Sequence, residues 1–134
     1  MRVHLVDGTY ELFRQHFGAA SRHSDRHPYA AAAGVVSSTL MLVEDGATHV
    51  GIASDHVIES FRNEMWAGYK TGEGMDPEIL EQIPVFERAL AAAGFTVWPM
   101  VEVEADDALG AAAAVTDADE RVEQVLIEIG RAHV

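Results

Sequence analysis

Four short runs of strand-forming residues, at 2–6, 48–53, 95–99 and 122–127, are separated by stretches with helical patterning, and this alternation leaves few folds open. Residues 9–17 place Tyr10, Phe13 and Phe17 three and four apart, which predicts a first helix. Residues 18–28 mix Gly, Ser, Asp, His and Pro and predict a loop. A second helix is expected over 29–44, with Val36, Leu40 and Val43 in its apolar set and Asp45-Gly46 as its stop. The second strand leads to Asp55. Residues 56–75 have no clean period and hold Gly68, Gly72 and Gly74. Asp76-Pro77 has the form of a helix start, cap then first-turn proline, for a helix running to Ala93 and ending at Gly94. A last helix is expected over 104–116. Strands alternating with helices imply an α/β fold, a parallel sheet with helices on both faces in a three-layer, Rossmann-like arrangement.

At 134 residues the chain is sized for one domain. It has no apolar run near the roughly 20 residues that cross a bilayer, so no membrane partner is expected. The first residues reach Asp7 too soon for a signal peptide, and there is no cysteine, so a cytoplasmic location is expected. The formal net charge of −13 counts against nucleic-acid binding unless some carboxylates converge on cations that then attract phosphate.

In an open parallel sheet, ligands bind beyond the carboxyl ends of the strands. Asp7 follows the first strand, Asp55 the second, and Glu104, Asp106 and Asp107 the third. Five carboxylates gathered there would repel one another unless cations fill the site, and an all-oxygen donor set suits Mg²⁺ or Mn²⁺ better than zinc. Each acid also has a purely structural role open to it. Asp7 can cap the first helix, Asp55 can begin a turn, and the other three can favour a helix start. Asp7-Gly8-Thr9 matches half of the Asp-x-Asp-Gly-Thr motif of haloacid-dehalogenase-type phosphatases, but Leu5 stands where the nucleophile would be. His23 and His27 are four apart but have no third ligand in view for zinc. Trp66, Trp98 and the phenylalanines are expected to pack rather than to stack on bases.

Taken together, Leu5-Val6-Asp7-Gly8, Thr48-His49-Val50 leading to Asp55, Phe61-Arg62-Asn63-Glu64 with Gly68-Tyr69-Lys70, and Glu104-Ala105-Asp106-Asp107 resemble the 5′–3′ exonuclease and flap endonuclease family. The resemblance covers residues 2–127 and implies a PIN-like fold. It implies that Asp7, Asp55, Glu104, Asp106 and Asp107 hold metal, two Mg²⁺ or Mn²⁺ ions in a complete domain. It implies that Arg62 and Lys70 act on the scissile phosphate, and that Arg62, Tyr69 and Lys70 contact DNA bearing a 5′ end or flap. A monomer is expected. Ser54 stands where relatives often carry Phe. In the family, strand four leads into a Thr-Pro-Asp-Lys-Asp-Leu-like segment with two more acids, and residues 128–134 do not match it. Ile129 to Val134 is also what the sequencing-adapter codons ATC GGA AGA GCA CAC GTC encode. Residues 128–134 are therefore expected to be a non-native tail, leaving the domain incomplete at its C-terminus and weak or inactive alone. A non-catalytic DNA-binding or interaction module of the same fold, and a PIN-type ribonuclease, remain open. Cleavage of single-stranded RNA but not of DNA flaps would mark the latter.

Overall fold

The computed structural model describes residues 1–20, 28–56, 77–101 and 104–128. Its elements run β1 (Arg2–Asp7), α1 (Gly8–Ala20), α2 (Ala30–Glu44), β2 (His49–Asp55), α3 (Pro77–Ala92), β3 (Thr96–Met100), α4 (Ala105–Asp117) and β4 (Gln124–Glu128). The strands form one sheet in the order β3-β2-β1-β4, and every neighbouring pair is parallel. The chain moves outward from β1 through β2 to β3, then returns to the far side of β1 to add β4. The carboxyl end of β1 therefore sits at the point where the strand order reverses. Among the described residues no helix is long and apolar enough to cross a membrane.

Helices cover both faces, as the alternation predicts. Side chains alternate across a strand, so Val6 and Ile52 enter one core and Val3, Leu5 and Ala53 enter the other. The first core is bulky. Leu12, Val35, Ile79, Ile83, Phe86 and Leu90 from α1, α2 and α3 are buried in it. The second lies under α4 and is thin, with Ala105, Leu109, Ala112 and Ala113 against the sheet and Trp98 at its margin. The Trp98 indole packs close against β2 because Gly51 has no side chain: a Cβ there would come 2.6 Å from the ring. Pro99 sits in β3, an edge strand, where a missing donor is tolerated. Both predicted helix stops hold. Gly46 (φ +116°) follows α2 and Gly94 (φ +101°) follows α3, each in the left-handed region open to glycine.

Two helix faces differ from expectation. In α1, Tyr10 and Phe17 are exposed, while Leu12 and His16 are buried and Phe13 is only partly covered. The cause is Gly8, whose backbone packs so closely on β2 that a Cβ would meet Ile52 at 2.7 Å. That contact turns the line Gly8, Leu12, His16, one residue per turn, toward the sheet. In α2, Leu40 and Val43 are exposed, Val36 is partly covered, and the buried residues are Ala31, Ala32, Val35 and Thr39. This helix is apolar nearly all round, so its period points nowhere in particular, and the small alanines decide which side comes close. Gln82 of α3 reaches across to accept the Ala32 N–H at 2.9 Å, satisfying a first-turn donor of α2. Asp76, expected as the cap of α3, lies outside the described residues, as do His23, His27 and Trp66.

Candidate functional site

Asp7 ends β1 and, by strand alternation, faces the α4 side. Its Oδ1 accepts the Tyr10 N–H at 3.1 Å, so it caps α1. Burial pushes its carboxyl up to about 6, the backbone N–H groups of Tyr10 and Thr9 pull the other way, and the charges of Asp55 and Asp106 raise it further. Asp7, Asp55 and Asp106 thus share one electrostatic neighbourhood. Asp55 ends β2 two residues beyond Ala53, the register partner of Asp7. Strand geometry then separates the two Cα atoms by about 8 Å, within reach of convergent carboxylates.

Asp55 is held on three sides. Its N–H donates to Thr9 Oγ1 at 2.8 Å, tying the end of β2 to the first turn of α1. Its Oδ1 accepts the Ala105 N–H at 2.9 Å, at the start of α4. Both residues flanking it turn to the opposite face, where they meet one buried carboxylate. Ser54 Oγ donates to Glu87 Oε2, and His56 Nδ1 donates to Glu87 Oε1 at 2.8 Å.

At the start of α4, Asp107 Oδ2 accepts the Glu104 N–H at 3.1 Å, so Asp107 caps its own helix, while Asp106 is exposed. The structure therefore places Asp55 and Asp106 near enough to Asp7 for their charges to raise its carboxyl, and it engages Asp107 locally with Glu104. Among the described residues no three His, Asp or Glu side chains form a ready-made cation cage. The donor chemistry nevertheless fits a hard divalent cation. The donors are all carboxylates, Asp7 is disfavoured in its charged form by burial and two like charges, and Asp55 commits only Oδ1 to Ala105. Arg62, Tyr69 and Lys70 lie outside the described residues. A cleft of about 550 Å³ opens at the other end of the sheet, lined by Val3, Thr48, Gly51, Trp98 and Arg121 among others, and contains none of the expected site residues.

Sequence reasoning missed Glu87 and Thr9. Glu87 does leave a signal: a carboxylate four residues after Ile83 and three before Leu90, on the apolar face of α3, must find donors inside the fold. Thr9 leaves none, since a threonine in a first turn is commonplace.

Residues 2–128 match the family model described as 5′-3′ exonuclease, N-terminal resolvase-like domain. The chain is 31% identical over 113 residues to a DNA polymerase I of Geobacillus stearothermophilus, which covers 82% of the chain and 13% of the polymerase. It is 30% identical over 131 residues to a DNA polymerase I of Mycobacterium leprae, covering 94% of the chain and 14% of the polymerase. It thus spans about an eighth of the length of these relatives. Among solved structures, a phage T5 5′-exonuclease with divalent metal ions (zinc) bound superposes with a TM-score of 0.69 at 18% identity, covering 95% of the chain and 48% of the exonuclease. A bacteriophage T5 flap endonuclease in complex with DNA and metal ions gives 0.66 at 19%, with the same coverage. At these identities the two structures speak to the fold.

Proposed function

The chain belongs to the 5′-3′ exonuclease family, as its N-terminal resolvase-like domain, and on that premise we propose that the parent protein hydrolyses DNA phosphodiesters at 5′ ends or flaps with Mg²⁺ or Mn²⁺. The observation carrying this reading is that Asp7 and Asp55 stand at the carboxyl ends of the adjacent parallel strands β1 and β2, with Asp55 bonded to the first residue of α4 beside Asp106. Those three would hold the cation, with Glu104 and Asp107 contributing from the start of α4. Divalent ions held there would, when bound, supply Lewis-acid polarisation of the phosphodiester and lower the pKa of a water for in-line attack. The chain's own part is orientation. Thr9 and Ala105 fix Asp55, and the first turn of α1 fixes Asp7. Arg62 and Lys70 would neutralise charge gathering on the phosphate, and Tyr69 would support the strand that enters there.

The chain covers 48% of the T5 exonuclease on which it superposes, and cleavage by the 134 residues alone is expected to be weak or nil. The test is Mn²⁺ binding and cleavage of a 5′-labelled flap oligonucleotide, each with Asp55→Asn and with EDTA. Mn²⁺ binding that Asp55→Asn weakens supports the metal site; binding indifferent to Asp55→Asn and Asp7→Asn sinks it. Robust cleavage by the chain alone would overturn that expectation. One observation favours the non-catalytic module: Asp7, Asp55 and Asp107 each accept a backbone N–H in a structural role. On that reading the same substitutions leave Mn²⁺ affinity unchanged.

A further inference from the structure

Glu87 is buried, sits on α3, and accepts hydrogen bonds from both residues that flank Asp55. Beyond Ala53 the end of β2 has no register partner on β1 and is paired only with β3, through Asp55 opposite Met100 and the His56 N–H to the Met100 carbonyl, so it is held on one edge. β2 ends at Asp55, and alternation sends Asp55 toward α4 while Ser54 and His56 point to the opposite face. Gripping both neighbours from behind leaves the residue between them little freedom to twist or slide. Ser54 is fully buried and brings a hydroxyl rather than an apolar surface to this position. That hydroxyl leaves Glu87 with one donor on each oxygen, a paired arrangement that a buried carboxylate requires.

We propose that Glu87 is a positioning residue for Asp55: through Ser54 and His56 it sets the direction of the Asp55 carboxylate at the acid-rich edge of the sheet. The claim rests on the proposed metal site, since it gives Asp55 a cation to be aimed at. It differs from a general packing role in being local. Buried carboxylates elsewhere serve other contacts; Glu11, for example, pairs with Arg14 of its own helix. Glu87 alone among the described residues bridges α3 to both sides of a strand-end acid.

Two measurements on the 134-residue chain test it, using Glu87→Ala and the milder Glu87→Gln. The first is amide hydrogen exchange without metal. The Ala105 N–H, bonded to Asp55 Oδ1, and the Asp55 N–H, bonded to Thr9, are expected to exchange about tenfold faster in Glu87→Ala, with Leu5 and Val6 amides nearly unchanged and Glu87→Gln between. Equal acceleration everywhere makes Glu87 an ordinary stability residue and overturns the proposal, as does no change at Ala105 and Asp55. The second is a Mn²⁺ titration in a double-mutant cycle. Glu87→Ala is expected to raise the Mn²⁺ Kd about tenfold, as loss of a residue supporting a metal ligand does, and to add nothing once Asp55→Asn is present. The same loss in both backgrounds overturns the proposal. If Asp55→Asn itself leaves Mn²⁺ affinity unchanged, the metal-site reading fails by itself, and the exchange pattern still decides whether Glu87 positions Asp55.

Discussion

The two faces of the sheet are built to different standards. On the α1–α3 side, Leu12, Val35, Ile52, Ile79, Phe86 and Leu90 are sealed from solvent by three helices. On the α4 side one alanine-rich helix covers Val3, Leu5 and Ala53, and Trp98 fills in over Gly51. Burial of large side chains supplies most of the driving force for folding, so the first face carries the greater part of the stability. The acids of the proposed site, Asp7 and Asp55, point to the second. The thick face anchors the strands while the thin one tolerates carboxylates that repel one another.

Large-to-small substitutions should expose this difference most strongly. Phe86→Ala is expected to cost about 3–5 kcal/mol in urea unfolding, against about 2 kcal/mol for Leu109→Ala under α4. Equal costs would mean that the thin face contributes as much as the thick one. Gly51→Ala should cost about 1–3 kcal/mol, because its Cβ must push the Trp98 ring off β2. A red shift of Trp98 emission in a Trp66→Phe background would report that movement, and an unshifted spectrum would show that the ring has slack.

Asp7→Asn should act in the opposite direction. Its folded pKa stands near 6 against 3.8 for an ordinary aspartate, so the fold favours the protonated form. That contribution is fully present below pH 3.8 and is lost as pH rises through 6. Asparagine keeps an oxygen for the Tyr10 N–H and removes the charge. The variant is expected to be more stable than wild type by about 1–2 kcal/mol at pH 7.5 and equal to it at pH 3.5, by thermal unfolding without divalent cations. Destabilisation at both values would show the cap to outweigh the charge. The smallest effect is expected at Leu40→Ser, within about 0.5 kcal/mol because Leu40 is exposed, whereas Val35→Ala on the buried side of the same helix should cost about 2 kcal/mol.

That last pair marks where the sequence stops being legible. Strand positions, the parallel sheet, helices on both faces and the glycine stops at 46 and 94 all follow from patterns spread over several residues. The inward faces of α1 and α2 do not, because each depends on a contact with another element: Gly8 against Ile52, and Ala32 against Gln82. The acids at strand ends could be read from position alone. Their capping bonds, and the grip of Glu87 on Ser54 and His56, depend on which residues meet across the finished sheet, and no local spacing encodes that.

The bond from the Tyr10 N–H to Asp7 gives the chain a built-in gauge. The proton on that amide lies against the carboxylate whose charge is most disputed, so its NMR frequency will follow every change in the electrical state of the strand end. Titrated with acid it should move near pH 6, and titrated with a divalent cation at neutral pH it should move again, with no label beyond ¹⁵N. A single helix cap can thus be read as a voltmeter for the whole acidic edge.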